Sequence, residues 1–311
     1  MRAVKAKFSI RGQELPHLLV SLELTQPIDD HHLFTLILKE LPEKIGKTVA
    51  AIVPEKYTGY LGEPIEVEIE ALNQTLTFSG VVTEVGLRNT VGDVNKVVLK
   101  GASPTLLMDL TRRNRFFHEK QLSQIAKEVL SEYDFDYACD VANGSMHRFC
   151  VQYGETDYHF ISRLAQEEGF WSFWDGGEFR IGPNSNQEPV ELHWRETLLE
   201  FEVGLKTRAL RHQTSVYNYE QKKTYSQATQ NLASGSSLPE LSKVAEDTSE
   251  RFTQGTTYVF DSRDVMDQKG LDTRMETLKA QEIGQLVLGV GRADIPGLTP
   301  GRPIKVVGLG K

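Results

Sequence analysis

The stretch that decides the fold reads RRNRFFHEKQLSQIAKEVLSEYDFDY over residues 112–137 and FCVQYGETDYHFISRLAQEEGFWSFWDGGEFRIG over residues 149–182. Its first half predicts an amphipathic helix within residues 119–132. Five apolar residues there recur at the spacing i, i+3, i+4, i+7 and i+8, which places them on one helix face: Leu122, Ile125, Ala126, Val129 and Leu130.

The second half predicts a strand, a second helix and a hairpin. The strand covers residues 148–153, and Thr156 or Asp157 can cap the helix that follows, because a short side-chain oxygen accepts a free first-turn N–H. Gly169 stands where a left-handed C-terminal cap belongs. Asp175-Gly176-Gly177 is typical of a hairpin turn. The apolar side of this helix consists of Phe160, Ile161, Leu164 and Ala165.

The flanking regions are β-rich. Ile65, Val67 and Ile69 alternate with glutamates, a pattern typical of a strand with one buried face. About six such strands precede residue 108 and predict a small barrel or sandwich. Pro300-Gly301 fits a type II turn before a last strand at 303–307. Residues 220–257 are rich in Ser, Gln, Thr and Lys and predict a long polar surface loop.

We therefore predict a β-rich α+β fold. The shared β-rich character of the outer regions suggests two related small β-barrel domains, at residues 1–108 and 186–311, with a helix-containing α+β domain at 109–185 between them. A chain of 311 residues is long enough for two or three such domains.

Composition restricts the class of function. The net charge of -8 argues against general nucleic-acid binding, which needs a cationic surface. The arginines at 112, 113 and 115 are expected to cap strand ends or to pair with acids rather than to form a basic patch. Cys139 and Cys150 lack metal-ligand spacing and are expected to be reduced thiols. The sequence contains no apolar run near the ~20 residues that cross a bilayer, and its first residues lack a signal-peptide core.

The candidate ligand-binding motifs each miss a required element. Gly289-Val290-Gly291 begins like a dinucleotide loop but continues into Ile-Pro-Gly instead of a helix. A calcium loop starting at Asp134, with Asp136 and Asp140, would need glycine where Cys139 stands. The adjacent His31 and His32 are expected to point to opposite faces of a strand, which makes a poor chelate.

The candidate catalytic groups also remain incomplete. His159 and Ser162 lie three residues apart on a helix, without a legible third group or oxyanion pocket. Glu155/Asp157 and Glu167/Glu168 are neighbouring acids of a kind that usually faces solvent. Trp171 and Phe173 share a strand face that favours a core over a sugar platform. We therefore predict no catalytic, cofactor-binding or metal-binding residues.

The central segment resembles the VgrG family of type VI secretion spikes and the hub proteins of contractile phage tails. The residues that carry this resemblance are Arg115-Phe116-Phe117, the helix at 119–132, Val151-Gln152-Tyr153-Gly154-Glu155-Thr156-Asp157, Phe160-Ile161-Ser162-Arg163-Leu164, and Glu167-Glu168-Gly169-Phe170. Weaker similarity extends to Phe78–Val82, to residues 212–222 and to Leu298-Thr299-Pro300-Gly301.

This resemblance implies a structural hub of a contractile injection machine rather than an enzyme. It implies a hub fold in which an α+β portion lies between two β-barrel, tube-like domains. It also implies a homotrimeric ring with pseudo-sixfold symmetry between a hexameric inner tube and a puncturing spike, with baseplate components and possible effectors as further partners. The family's conserved positions suggest that Arg163 pairs with or caps Glu155 or Asp157. The expected location is the bacterial cytoplasm before assembly, then the injected spike or the virion tail.

Two questions stay open at this level. Longer family members continue into an OB-like domain and a β-helical needle, whereas this sequence ends at Lys311, so the spike is expected either on the same polypeptide or on a separate one. The alternative function is a cell-wall glycan hydrolase or glycan-binding module that uses paired carboxylates with Trp171 and Trp174.

Overall fold

The structure, a computed structural model, describes residues 5–14, 18–39, 55–71, 74–91, 93–141, 146–182, 188–232, 240–259 and 267–309. These residues form nineteen strands and five α-helices in a β-rich α+β arrangement. Within them, every helix falls short of the combined length and apolarity that a bilayer-spanning helix requires.

The first region forms one antiparallel sheet of seven strands in the order β2-β1-β5-β6-β7-β4-β3. A short helix, α1 (Glu55–Thr58), precedes β5. The alternating pattern places Ile65 and Val67 on the buried face, as predicted. The strands are β1 (Lys5–Ile10), β2 (Gln13–Glu14), β3 (Leu18–Thr25), β4 (Leu33–Lys39), β5 (Pro64–Ala71), β6 (Gln74–Thr90) and β7 (Asp93–Ala102).

The predicted closed barrel is not formed by the described strands of this sheet. The edge strands β2 and β3 each pair with one neighbour, and no ladder joins them to each other. The long strand β6 pairs with β5 through residues 74–81 and with β7 through residues 81–90. Such a stagger is the geometry that curves a sheet toward closure. The alternation of apolar residues reports which face is buried and does not report whether the edges meet.

The middle region contains the predicted helix, strand, second helix and hairpin in that order, together with two strands that were not predicted, β8 before the first helix and β9 after it. β8 and β10 form an antiparallel ribbon, and β12 lies between antiparallel β11 and parallel β9. A 3-10 helix at Pro104–Asp109 leads into it. The elements are β8 (Arg112–Gln121), α2 (Leu122–Leu130), β9 (Asp136–Cys139), β10 (Met146–Thr156), α3 (Asp157–Glu167), β11 (Ser172–Trp174) and β12 (Glu178–Ile181).

Local sequence explains where the two middle helices begin and end. The apolar face predicted for α2 is fully buried. The Thr156 hydroxyl accepts a hydrogen bond from the backbone N–H of His159 at 3.3 Å, which confirms the predicted cap of α3. Gly169, with φ +83°, terminates α3 as predicted, because glycine adopts this conformation without a Cβ penalty. Gly176 in the hairpin has φ +115°.

The last region contains several small sheets rather than one barrel. β13 pairs with β19, β14 with β18, and β15 with both β16 and β17. At the predicted type II turn, Gly301 has φ +73° and the Arg302 N–H donates to the Thr299 carbonyl at 3.2 Å. The elements are β13 (Val190–His193), β14 (Leu198–Leu205), β15 (His212–Asn218), β16 (Lys223–Ala228), α4 (Glu240–Phe252), β17 (Thr257–Tyr258), α5 (Gln268–Gly284), β18 (Val287–Ala293) and β19 (Ile304–Val307).

The prediction of a polar loop over 220–257 is wrong in two places, because β16 and α4 lie within it. Helix α4 buries Ala245, Glu246 and Ser249, so its inner stripe is short and partly polar. Glu246 is matched by Lys279 of α5 at 3.6 Å, both almost fully buried. The apolar side chains of α4 are mostly on its exposed side, since Leu241, Val244 and Phe252 all face solvent. The Ala-Ser-Gly-Ser-Ser tract lies outside the described residues.

One hydrophobic core joins the first two regions. It runs from Phe8 to Ile181 and includes buried side chains of the seven-stranded sheet, α2, α3 and β12. Two smaller clusters lie in the last region, one around Leu198 and one around Leu286. The predicted domain boundaries at 108 and 185 remain a prediction.

Candidate functional site

A buried carboxylate, Asp157, lies where α3 begins against the ribbon of β8 and β10. It is completely inaccessible to solvent. Arg115 Nη1 donates to Oδ1 at 3.1 Å, the Tyr133 hydroxyl donates to Oδ2 at 2.6 Å, and Gln152 Nε2 donates to Oδ1 at 2.7 Å. A buried charge is tolerated when it is paired and hydrogen-bonded in this way. Burial and the bond to Asp157 raise the pKa of Tyr133, so its hydroxyl stays a donor.

The arginines of this site are held by a second acid at the surface. Glu132 accepts from Arg113 Nη1 and from Arg115 Nη2, each at 2.7 Å. Arg112 donates instead to the Gly154 carbonyl at 3.0 Å. The expectation that this arginine cluster pairs with acids is thus confirmed for Arg113 and Arg115, and the cluster ties β8 to α3 and to the chain after α2.

A second polar cluster centres on Asp109, at the end of the 3-10 helix. His31 Nε2 lies 3.1 Å from one carboxylate oxygen, and His159 Nδ1 lies 3.0 Å from the other, which also accepts from Thr156. Partial burial disfavours the charged form of Asp109, but the bonds from Thr156, His31 and His159 together hold its pKa below the ordinary value. The carboxylate therefore stays charged at neutral pH.

Part of this cluster has the connectivity of a catalytic triad. Thr105 Oγ1 lies 2.9 Å from His31 Nδ1, whose other ring nitrogen contacts Asp109. Thr105, however, is only 1% exposed, and its hydroxyl also contacts Ser103 Oγ at 2.7 Å. A nucleophile needs a substrate within reach. These hydrogen bonds instead join the residues just before β4 to the 3-10 helix, and the 3-10 helix to the start of α3.

The predicted histidine and serine candidates do not act together. His31 and His32 lie just before β4 rather than within a strand, and they contact different partners: His31 binds Asp109, whereas His32 is buried with Nδ1 3.4 Å from Gln26 Nε2. His159 faces Asp109, and Ser162 Oγ instead accepts from Ser172 Oγ at 3.0 Å. The described residues contain no group of three or more His, Cys, Asp or Glu side chains placed to hold a metal ion.

The neighbouring acids form separate ion pairs. Arg163 contacts Glu155 at 3.1 Å and Glu167 at 3.2 Å. Of the two partners predicted for Arg163, the structure therefore shows Glu155 and not Asp157. Glu168 contacts His147 at 2.7 Å with its side chain only 3% exposed. The expectation that these acids face solvent is wrong for Asp157 and Glu168, since the periodicity of a helix does not show an ion pair formed with another element.

The aromatic residues around the hairpin divide between core and surface. Phe173 and Trp174 are buried, whereas Trp171 is 56% exposed. The core interpretation therefore holds for Phe173 and is wrong for Trp171. A stacking platform made of Trp171 with Trp174 is not available, because Trp174 is inside the core. Gly289 and Gly291 lie within strand β18, and both cysteines are free thiols.

An open cleft of about 570 Å³ lies beside the hairpin turn. Its lining is polar and includes Thr77, Asp136, Asp175, Thr299 and Arg302. Asp175 is already engaged, since it accepts from the backbone N–H groups of Gly177 and Glu178 at 3.0 Å each. The Gly176 carbonyl also accepts from the Ser79 N–H at 2.8 Å. The cleft is thus a seam where the hairpin joins β6.

The fold is shared with proteins of phage tails and of a secretion system. It is similar to the prophage MuSo2 43 kDa tail protein from Shewanella oneidensis, at 14% identity and a TM-score of 0.66, over 98% of this chain and 89% of that one. A tail protein from Neisseria meningitidis MC58 gives 12% identity and a TM-score of 0.65, over 98% and 86%.

A third similar structure is the E. coli c3393 protein, a component of the type VI secretion system with structural similarity to the T4 bacteriophage tail proteins gp27 and gp5. It gives 16% identity and a TM-score of 0.60, over 97% of this chain and 67% of that one. These likenesses establish the fold. In addition, the family model for the phage tail baseplate hub (GPD) matches residues 48–310. The resemblance found in the sequence is confirmed, and this chain belongs to the phage tail baseplate hub (GPD) family, with a structural hub role.

Proposed function

We propose that three copies of this chain close into a ring with pseudo-sixfold symmetry that joins a hexameric inner tube to a puncturing spike. The observation that carries this proposal, beside the family match over 48–310, is that the described strands of both β regions do not close into barrels within one chain. β14 and β18 pair only with each other among the described strands, and a lone two-stranded ribbon is marginally stable in water. A ring supplies neighbours that cover such edges.

The role that we propose is mechanical and without catalysis. The buried carboxylates Asp157 and Glu168 are paired within the chain, with Arg115 and His147 respectively. Glu132 of the same chain binds the solvent side of Arg115. Such networks hold elements in register, which suits a component that transmits load. As partners we propose the inner tube protein, the spike on the same or a separate chain, baseplate components and carried effectors.

The proposed location follows from this role. The chain would assemble in the bacterial cytoplasm and leave it either with an injected spike or within a virion tail. Small-molecule substrates and specific nucleic acids have no part in the proposal.

Mass measurement in solution tests the ring. Light scattering over a concentration series, with and without the cognate spike, is expected to give three times the monomer mass, and low-resolution images should show a ring with a central channel. A strictly monomeric species under both conditions refutes the ring. The trimer can depend on concentration, because association is linked to mass action.

A peptidoglycan digestion assay tests the absence of catalysis. We expect no soluble fragments above the level of buffer alone. Turnover that disappears in Glu155→Gln or Glu168→Gln would establish the hydrolase instead.

A further inference from the structure

The ribbon of β8 and β10 has one covered face and one open face. On the covered face, Phe117 and Cys150 are buried, and the Phe117 ring stacks on Phe160 of α3 at 5.6 Å between centroids. On the open face the register places Phe116 opposite Val151, with Asn114 opposite Tyr153 and His118 opposite Phe149 on either side. We call Phe116, Phe149, Val151 and Tyr153 the β8–β10 face.

These four side chains form one contiguous apolar surface. Their exposures are 74% for Phe116, 62% for Phe149, 39% for Val151 and 81% for Tyr153. Phe116 and Val151 are directly opposed and lie about 5 Å apart, and Phe149 and Tyr153 are their diagonal neighbours at about 7 Å, a distance that aromatic side chains can span. An aromatic side chain carries roughly 150–250 Å² of surface, which gives a patch of roughly 450 Å². A patch of that size on a monomer is commonly an interaction site.

A second surface of this kind lies in the last region, on the ribbon of β14 and β18. Five of its apolar side chains are 43–59% exposed. Val203 and Leu205 lie on one face and Leu288 and Val290 on the other, while Leu199 lies at the register shift that follows Leu198. By the usual area of a buried aliphatic side chain they offer roughly 250 Å² more. We call these five residues the β14–β18 ribbon surface.

The symmetry of the proposed ring limits which surface of a neighbouring copy can cover each of these two surfaces. A threefold ring cannot be built from a patch that contacts itself, because an isologous contact closes as a dimer. Each copy must present one surface to the neighbour on one side and a different surface to the neighbour on the other. The chain carries two separate apolar sheet surfaces, one in the middle region and one in the last, which meets this requirement.

We propose that the β8–β10 face of one copy is covered by the β14–β18 ribbon surface of the next copy. The inference rests on the proposed ring and names its contact. A flat contact covers one face of the ribbon, which carries about half of its apolar area, so the two surfaces together supply roughly 575 Å² of apolar area for each interface. A standard interface buries about 1,600 Å² in total, a little over half of it apolar. The two surfaces therefore provide most of the apolar part, and the polar side chains around them provide the rim.

Paired cysteines test the contact directly. Val151→Cys is combined in the full-length chain with Val203→Cys or with Val290→Cys, one on each face of the ribbon, and treated with a short bis-maleimide. We expect at least one pair to give covalently linked dimers and trimers on a denaturing gel, whereas each single variant stays monomeric on it. The matched control pairs Val151→Cys with Tyr258→Cys, whose site is 77% exposed and outside both surfaces.

A charge placed in the interface gives a second test. Phe116→Glu is expected to raise the concentration at the midpoint of trimer dissociation at least about tenfold, which corresponds to about 1.4 kcal/mol. The circular dichroism spectrum should not change, because the residue is exposed. Phe252→Glu, at an equally exposed aromatic on α4, is the control and should leave the midpoint unchanged.

The outcomes separate the contact from the ring. A trimer in which neither cysteine pair links, and in which Phe116→Glu has no effect, overturns the contact and leaves the ring intact. A monomer at every concentration, with or without the spike, overturns both.

Discussion

Replacing Asp157 by asparagine tests whether the buried network holds the middle region together. The substitution keeps the volume of the side chain but removes its charge. Gln152 and Tyr133 both donate to this carboxylate, and the new amide group turns a donor toward one of them. Arg115 at the same time loses its buried counter-charge at 3.1 Å.

The size of the effect follows from the burial. Removing one partner of a buried ion pair costs about 3–5 kcal/mol. The cost for asparagine should lie near the lower end, at about 3 kcal/mol, because Glu132 still holds Arg115 at 2.7 Å. If the free energy of unfolding decreases by about 3 kcal/mol for each molar of urea, the urea concentration at the unfolding midpoint should fall by about 1 M.

The matched control is Glu132→Gln, which removes the surface half of the same network. Exposed ion pairs contribute about 0–1 kcal/mol, so its midpoint should move by no more than about 0.3 M. Urea unfolding followed by circular dichroism measures both variants. An Asp157→Asn midpoint within 0.3 M of the unmodified chain, or equal shifts for the two variants, would refute the reasoning.

Three further outcomes are expected. Burial lowers the pKa of His32 to about 4, so between about pH 6.5 and pH 4 the unfolded chain binds a proton that the folded chain does not. The free energy of unfolding should therefore decrease by up to about 3 kcal/mol as the pH is lowered from 6.5 to 4. His32→Gln should flatten this part of the pH profile of stability. Arg163→Ala removes the ion pairs with Glu155 and Glu167 and the contact with the Phe160 ring. It should lower the free energy of unfolding, measured in urea, by about 1–2 kcal/mol. An unchanged unfolding midpoint would contradict a stabilising role of the guanidinium. Gly101→Ala places a Cβ 1.9 Å from the Val81 carbonyl oxygen and should cost more than about 3 kcal/mol or prevent accumulation of folded protein, while Gly86→Ala on β6, where a Cβ meets open space, should be tolerated.

The sequence predicts best those elements whose apolar residues recur with a clear period. Helix α2 buries each of the five residues assigned to its inner face, and the Thr156 cap and the Gly169 terminus of α3 are where local chemistry places them. These features depend on interactions within a few residues of chain. Periodicity and capping are enough to specify them.

The polar clusters depend on partners that are distant along the chain. His31 contacts Asp109, 78 positions away, and no local pattern announces that pair. Helix α4 is missed for a related reason, because its buried Glu246 is matched by Lys279 of another helix. The sequence does not predict that the described strands leave the barrels unclosed, because alternation assigns residues to faces but carries no information about whether edge strands meet. Trp171 is exposed although its neighbours Phe173 and Trp174 are buried, which period-two alternation alone does not predict.

The continuous core from Phe8 to Ile181 has a consequence for synthesis on the ribosome. The last strand of the first sheet ends at Ala102, yet that sheet packs against side chains from α2, α3 and β12 that are translated up to about 80 residues later. At about 5–20 residues per second, the nascent chain spends roughly 4–16 s with an apolar sheet surface that has nothing to pack against. During this interval we expect chaperones that bind nascent chains to cover the exposed apolar face of the sheet. Rare codons between positions 103 and 181 would lengthen the time for which this face is exposed.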